Sequence, residues 1–367
     1  MNHFIQDSES NKKSLNFLLS ITQFQNLRYH DESRGLKINP YSKTQNLKSS
    51  NHLISTESRQ SVVRAMIKAQ YRSQISDFAL LLAIYYFDVV NYEAFLNYSC
   101  TFKGPKSYNP ERISSKNAFS QREVASFIQP DRRISYENVN LCGYNIYALG
   151  LTCLYLAAKF EDFKFPCFIH LKSIFCGEIR AEGRNDEINY LNSSEFSIIQ
   201  HEIFIFRMLK FNFYQPAAIR FFERLCRAIQ IEKTSIQYQL GLFLLHISAM
   251  YPSLNFDNSQ HQIANAVIFT VLKIVNFDKN QNDLETFWPS YLQELTGHSS
   301  FDFFELAKKI INKYVELHQG HDQKVQRLKL VFRKFKDPSH MQVSPMSPYH
   351  ICKLVEQERK QNRVPGQ

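Results

Sequence analysis

The chain has 367 residues, a net charge of +10 and 44% hydrophobic residues, among them 31 phenylalanines. So many apolar side chains can fill the core of a globular protein, which excludes a disordered chain. With 10 glycines, and 12 prolines that stand mainly between apolar runs, the composition favours an all-α fold. No run approaches 18 uncharged apolar residues. We therefore expect neither a secretion signal nor a membrane span.

The cysteine pattern bears on redox state and on metal binding. The seven cysteines are odd in number and form no CxxC pair. This argues against a disulfide framework and a zinc site, and favours reduced thiols in the nucleus and cytoplasm. The sequence also lacks a GxGxxG motif, a P-loop, an HExxH motif and a histidine cluster. We expect no metal, no cofactor, no small-molecule substrate and no enzymatic activity.

The positive charge is distributed unevenly along the chain. Residues 319–367 carry a net charge of +6, residues 101–140 carry +3 and residues 1–57 carry +2, which leaves the rest near neutral. Basic residues confined to polar segments are typical of solvated tails and insertions. A protein that binds a DNA duplex needs them on a folded surface. The charge distribution therefore argues against nucleic acid as a partner.

The apolar residues recur at helical spacing in two series of five segments. In the first series, helices are expected at residues 57–71, 74–90, 141–162, 167–176 and 194–212. Ser76 or Asp77 is expected to cap the second of these. Two polar excursions, of which the longer covers 91–140, interrupt the series. The second series opens at Pro216, with helices expected at residues 216–229, 236–250, 260–276, 284–296 and 301–318.

The two series resemble each other at their third helices, YALGLTCLYLAAKF and IANAVIFTVLKIVNF, and also at their fifth. This repetition predicts two copies of a five-helix unit, each wrapped around a buried third helix. The expected domains are a polar extension at 1–55, a first unit at 56–213 with insertions at about 97–140 and 178–193, a second unit at 216–318 and a basic tail at 319–367.

The first unit resembles the cyclin box, particularly that of A- and B-type mitotic cyclins. The segments YYFDVV and LAAKFEDFKFP resemble the family's segments at the ends of helices two and three, and HEIFIFRMLKFNFYQPAAIRFFERL resembles the entry into the second box. Further on, FRKFKDPSHMQVSPM resembles the stretch that closes mitotic cyclins. The family's five defining positions fall on Arg59, Asp88, Ala148, Lys159 and Glu202. All match except Ala148, which stands where cyclins have leucine.

The resemblance implies tandem five-helix cyclin boxes with flexible basic tails. It also implies a regulatory subunit that forms a heterodimer with a cyclin-dependent protein kinase in cell-cycle control. In cyclins, the lysine and the glutamate hydrogen-bond the kinase backbone beside its mobile helix, so Lys159 and Glu202 are expected at that interface. Without the resemblance, a structural ion pair of Glu202 with Lys159 or Arg207 explains the same residues.

Further site residues follow from the same resemblance. Arg59 and Asp88 are expected to form a structural ion pair between the first two helices. The apolar part of the kinase interface would comprise Leu156, Phe160, Phe206, Phe211 and Phe213. Aromatic residues at this spacing also fit an ordinary helical core.

One departure from the family concerns substrate recruitment. Cyclins that recruit substrates through an Arg-x-Leu motif use an apolar patch on helix one. The matching positions here include Ser58, Ser61, Val62 and Ala65, with hydroxyl groups in place of much of the apolar surface. We therefore expect this docking patch to be weak or absent.

Other classes of protein remain open at this point. A transcription-type cyclin fits the same residues, and transcription factor IIB shares the doubled five-helix fold while binding DNA. A helical enzyme would need a nucleophile paired with a base, and the sequence offers no such pair. The sequence does not identify the kinase, the cell-cycle phase, the substrates or the role of the long insertion.

Overall fold

The computed structural model describes residues 54–101, 145–193, 196–214, 216–255, 258–275, 288–319 and 331–343. These residues form helices and no strand, which confirms the all-α class. The N-terminal extension and most of the long insertion lie outside the described residues. The described residues up to 213 form one compact unit, and those from 214 onwards form another.

The N-terminal unit contains six helices within the described residues: α1 (Thr56–Ser73), α2 (Asp77–Thr101), α3 (Ile146–Glu161), α4 (Phe168–Ala181), α5 (Asn185–Asn192) and α6 (Ile198–Met208). The C-terminal unit contains α7 (Ala218–Ala228), α8 (Ile236–Met250), α9 (Pro252–Asn255), α10 (Gln260–Val275), α11 (Ser290–Thr296) and α12 (Phe304–Gln319), with 3₁₀ turns at Ser300–Asp302 and Pro338–His340.

Side-chain caps explain where several of these helices begin. The Ser55 Oγ accepts from the Ser58 N–H at 3.1 Å, and the Ser76 Oγ accepts from the Ala79 N–H at 3.1 Å. At α3, the Asn145 Oδ1 accepts from the first free N–H groups of the helix at 3.0 Å. Each cap satisfies backbone donors that have no partner within the helix. Of the two caps predicted for α2, the structure uses Ser76.

The third helix lies at the centre of the N-terminal unit. Helix α3 packs against α1, α2, α4 and α6. Its buried residues run from Ile146 to Ala158 and cover nearly all sides of the helix. A helix that is apolar all round is expected in such a position. In the C-terminal unit, α10 is the central helix and packs against α7, α8, α9 and α12.

The observed helices differ from the predicted ones at two polar segments. Helix α2 continues through Thr101 instead of ending near residue 90, because Gly104 and Pro105 are the first helix breakers after it. The second predicted insertion, 178–193, holds the end of α4 and the whole of α5. Ile188 and Leu191 of α5 are buried, so two apolar contacts order a segment whose composition is polar.

Residues 331–343, predicted above to belong to the basic tail, pack on the C-terminal unit. The ring of Phe335 lies 5.2 Å from that of Phe243 on α8. The buried Lys334 donates from Nζ to the His246 Nε2 at 3.0 Å, and the His340 Nδ1 contacts the Gln239 Oε1 at 2.9 Å. The C-terminal unit therefore includes chain beyond the predicted end at residue 318.

Helices α7 and α8 pack so closely that one added methyl group between them is expected to destabilise the C-terminal unit. A Cβ added at Gly241 in α8 would lie 2.3 Å from two ring atoms of the buried Phe222. We expect Gly241→Ala to lower the free energy of unfolding by about 1–3 kcal/mol, since an overpacked core must shift. Urea denaturation of the full chain measures this change.

Gly177 in α4 provides the matched control, since a Cβ there meets nothing within 4 Å. Gly177→Ala should raise the free energy of unfolding by about 0.5–1 kcal/mol, because alanine loses less backbone entropy in a helix. Equal effects of the two substitutions would contradict the packing described here.

Candidate partner surface

The central helix α3 reaches solvent at its last turn. Its side chains are buried along most of its length, whereas those of Lys159 and Phe160 are exposed. The Asp162 Oδ2 accepts from the Ser76 N–H at 3.1 Å, which ties the end of α3 to the start of α2. Pro166 follows soon after, where the chain has left the helix. The fold therefore places one lysine and one phenylalanine at a fixed point on the surface.

Lys159 forms an ion pair with Glu202 of α6. The Lys159 Nζ lies 3.0 Å from the Glu202 Oε1, and the two side chains are 37% and 16% exposed. The Lys159 ammonium also lies 5.1 Å from the ring centre of Tyr155, one turn earlier on α3. Of the two cations considered for Glu202, Lys159 and Arg207, the structure pairs the carboxylate with Lys159. Because the Lys159–Glu202 pair is partly exposed, both side chains can form further hydrogen bonds.

Four phenylalanine rings form a cluster at the ends of α3 and α6. The ring of Phe213 lies 5.9 Å from that of Phe160 and 4.8 Å from that of Phe206, which in turn lies 6.1 Å from Phe211. The Tyr86 Oη donates to the Phe213 backbone carbonyl at 2.6 Å and so anchors the chain after α6. We call Lys159, Glu202 and these four phenylalanines the Lys159 surface.

Phe211 is held in an unusual backbone conformation. Lys210 and Phe211 have φ angles of 53° and 56°, in the left-handed region that disfavours side chains. The Phe211 N–H donates to the Phe206 carbonyl at 2.8 Å, which closes the end of α6. The Phe211 side chain is nevertheless 68% exposed. A strained turn that presents a large apolar side chain to solvent is typical of a binding site.

One predicted interface residue lies beneath the surface. The side chain of Leu156 is only 6% exposed, because it faces the core one turn before Phe160. Leu156 therefore supports the Lys159 surface from within and contributes little area to it. The aromatic rings of the set divide similarly, with Phe160 and Phe211 exposed and Phe206 and Phe213 half-buried.

Three exposed apolar residues near this surface were not singled out from the sequence. Phe163, in the loop after α3, is 98% exposed, and Ile199 and Ile203 lie exposed one turn apart on α6. The signal that could have found Phe163 is its position between the charged residues Asp162 and Lys164, which a core aromatic rarely occupies. Ile199 and Ile203 carry no such signal, since isoleucines at this spacing usually mark the buried face.

The predicted pair of Arg59 and Asp88 is deeply buried. The Arg59 Nε and Nη2 donate to the two oxygens of Asp88 at 2.8 and 2.7 Å, and the side chains are 0% and 2% exposed. Burial, and then the Asp88 charge, raise the pKa of the neighbouring Cys153 thiol. This two-point contact joins α1 to α2 in the interior, where no partner protein could reach it.

The predicted docking patch on α1 is occupied by the chain itself. Ser61, Val62 and Ala65 are buried, and Ser58 is half-buried. The Ser61 hydroxyl shares a 2.7 Å hydrogen bond with the Tyr147 hydroxyl and contacts the Glu182 carboxylate.

Polar contacts continue along the same face of α1. Arg64 pairs with Glu182, and Lys68 pairs with Glu178 at the end of α4. Burial raises the pKa of Tyr147 to about 12, so its hydroxyl stays protonated and available to this network. The residues that replace the apolar patch are therefore engaged in polar contacts within the N-terminal unit.

Two other features are absent from the described residues. They hold no group of three or more His, Cys, Asp or Glu side chains placed to bind a metal ion. In that same part of the chain, no helix combines the length and hydrophobicity needed to cross a membrane.

Comparison with known families gives a match in the C-terminal unit. Residues 216–349 match the family model described as the cyclin C-terminal domain. This match covers α7 to α12 together with the packed residues 331–343. No curated protein matches the chain.

The buried pair predicts a large stability effect in the N-terminal unit. Asp88→Asn should lower the free energy of unfolding by about 3–5 kcal/mol, because it removes the charged partner of the two-point contact from the buried Arg59 guanidinium. Urea denaturation followed by circular dichroism measures this. The double variant Arg59→Met/Asp88→Leu should lose less than either single variant, since no charge is then buried. A loss below about 1 kcal/mol for Asp88→Asn would contradict the structural role.

Proposed function

We propose that this chain, which carries a cyclin C-terminal domain, is a non-enzymatic regulatory subunit that binds and activates a cyclin-dependent protein kinase. The kinase partner, the role in cell division, the A- or B-type character with long insertions in the first box, and a location in nucleus and cytoplasm all belong to this proposal. Its support is the resemblance of the N-terminal unit to the first cyclin box and the geometry of the Lys159 surface.

The observation that carries the proposal is the partly exposed Lys159–Glu202 pair. Lys159 has three N–H donors and Glu202 has two acceptor oxygens, and their mutual contact of 3.0 Å uses one of each. The remaining donors and oxygen can bond the carbonyl and N–H groups of a partner backbone. An ion pair needed only for stability gains little from such an exposed position.

The aromatic side chains supply the apolar part of the same contact. Phe160 and Phe211 are exposed, and the rings of Phe213 and Phe206 connect them in a chain of ring contacts. Large aromatics beside a charged anchor are the usual composition of an interface hot spot. A kinase helix with apolar side chains and accessible backbone polar groups fits this combination.

The proposed mechanism is allosteric. The cyclin contributes no catalytic group, and the kinase supplies the lysine, the glutamate and the metal ions of phosphoryl transfer. The Lys159 surface presses on the kinase helix that carries the glutamate, so that this glutamate can pair with the catalytic lysine. Binding the active conformation more tightly than the inactive one is sufficient to shift the kinase population towards activity.

The ion pair provides the decisive test. Lys159→Ala/Glu202→Ala should weaken binding of a purified cyclin-dependent kinase by about 30-fold or more, because the anchors of its backbone are removed. The free energy of unfolding should change by less than about 1 kcal/mol, since the pair is partly exposed. Binding is measured by surface plasmon resonance, and activation by phosphorylation of histone.

A second lysine–glutamate pair in the same unit serves as the matched control. Lys68 on α1 pairs with Glu178 on α4, whereas the Lys159 surface is formed by residues of α3, of α6 and of the chain that follows α6. Lys68→Ala/Glu178→Ala should bind and activate the kinase as the wild type does. Equal binding by all three proteins would place the interface elsewhere, and no binding by the wild type would remove the proposed partner.

A substitution at Phe211 is expected to change kinase binding without lowering stability. Glycine adopts the left-handed φ of 56° without strain. Phe211→Gly should therefore keep or slightly raise the thermal unfolding midpoint, while it weakens kinase binding by about tenfold through loss of an exposed aromatic anchor. Calorimetry and the binding assay measure the two effects. A fall in both quantities would mean that the Phe211 ring belongs to the core.

A further inference from the structure

Two histidines of the C-terminal unit face each other across a very short distance. The His261 Nε2 lies 2.9 Å from the His298 Nε2, and the two ring planes differ by only 17°. His261 belongs to the central helix α10 and is 2% exposed. His298 lies in the loop between α11 and the Ser300–Asp302 turn. The contact therefore joins a surface loop to the core of this unit.

The loop around His298 is ordered by several contacts. The buried Trp288 donates from Nε1 to the His298 carbonyl at 3.0 Å. Asp302 accepts from the Ser299 N–H at 2.7 Å, and Ser299 and Asp302 form a reciprocal cap at the start of the turn. The Asp302 Oδ2 also lies 3.6 Å from the His298 Nδ1. Movement of His298 would disturb both the tryptophan and the start of α12.

The short distance between the two nitrogens limits how many protons they can carry. Two imidazole nitrogens at 2.9 Å attract each other only when one carries a proton and the other offers its lone pair. Protonation of the acceptor would oppose two N–H groups and two positive charges at this distance. Asp302 can compensate a charge on His298 and faces away from His261 across that ring. Two of the groups that also contact His261 are the Ser259 hydroxyl, 3.2 Å from Nε2, and the Phe221 ring on α7.

We propose that His261 and His298 form a pH-sensitive latch, which holds the loop after α11 against the central helix at neutral pH and releases it under mildly acidic conditions. The latch includes no residue of the Lys159 surface, because both histidines belong to the C-terminal unit. Release frees the acceptor nitrogen of the pair to bind a proton that the latched state excludes, so a fall in pH favours release.

The chain contains its own reporter for this event. Trp288 is the single tryptophan in the sequence, and its indole N–H bonds the carbonyl of His298 itself. As the pH of the full chain falls from 7.5 to 5, the tryptophan emission should shift to longer wavelength in a one-proton transition, with helical circular dichroism unchanged. A flat emission profile over this range overturns the proposal.

A side chain that forms the hydrogen bond but does not bind a proton distinguishes the latch from other titrating groups. In His298→Gln the side-chain amide can accept from the His261 Nε2 whether or not His261 is charged. We expect this variant to lose the emission transition while folding normally at pH 7.5. The control is His170→Gln, an exposed histidine on α4 of the other unit, which should keep the transition. Persistence of the transition in His298→Gln would show that another group causes it.

His261→Gln provides the reciprocal measurement if His298→Gln fails to fold. It removes the buried partner and leaves His298 beside Asp302, so the one-proton transition should again be lost. If the transition survives in any folded latch variant, the latch is not its source.

Discussion

Burial of helix α3 is the constraint on which the N-terminal unit depends. This helix contacts four others, and its apolar side chains occupy nearly every side of it. Such a helix has one stable place, the centre of the unit, because removal of its surface from water is what stabilises the surrounding helices. Its last turn must then emerge at a defined point. The exposure of Lys159 and Phe160, and their closeness to α6, follow from that central position.

Two ion pairs of this unit show that similar side chains have different roles in different environments. Arg59 donates two hydrogen bonds to Asp88 in the interior, where water competes for neither. Each charge is neutralised by the other within the fold, and neither side chain is accessible to another molecule. Lys159 and Glu202 share a single contact at the edge of the fold. Water already solvates part of both groups, so a partner can replace that water without breaking the pair.

The C-terminal unit also has a central helix, α10, but the last turn of this helix differs from the last turn of α3. Lys273 stands in the last turn of α10, as Lys159 does in α3. Its ammonium lies 5.8 Å from the ring centre of Phe304, and the described residues show no carboxylate paired with it. Shared architecture therefore does not require shared function, since one side-chain difference changes what the turn can bind. One polar contact of this central helix is instead the pair of His261 on α10 with His298 in the loop after α11.

The sequence by itself determined the helices and the class of fold. Apolar spacing, the capping residues Ser76 and Asn145 and the glycine and proline breaks are local signals, and helix formation responds to local signals. The tertiary structure alone decided which cation pairs with Glu202, that Leu156 is covered while Phe211 is exposed, and that α5 forms in a polar segment. These outcomes depend on residues far apart in the chain, because burial is a property of the whole packed unit and not of a sequence window.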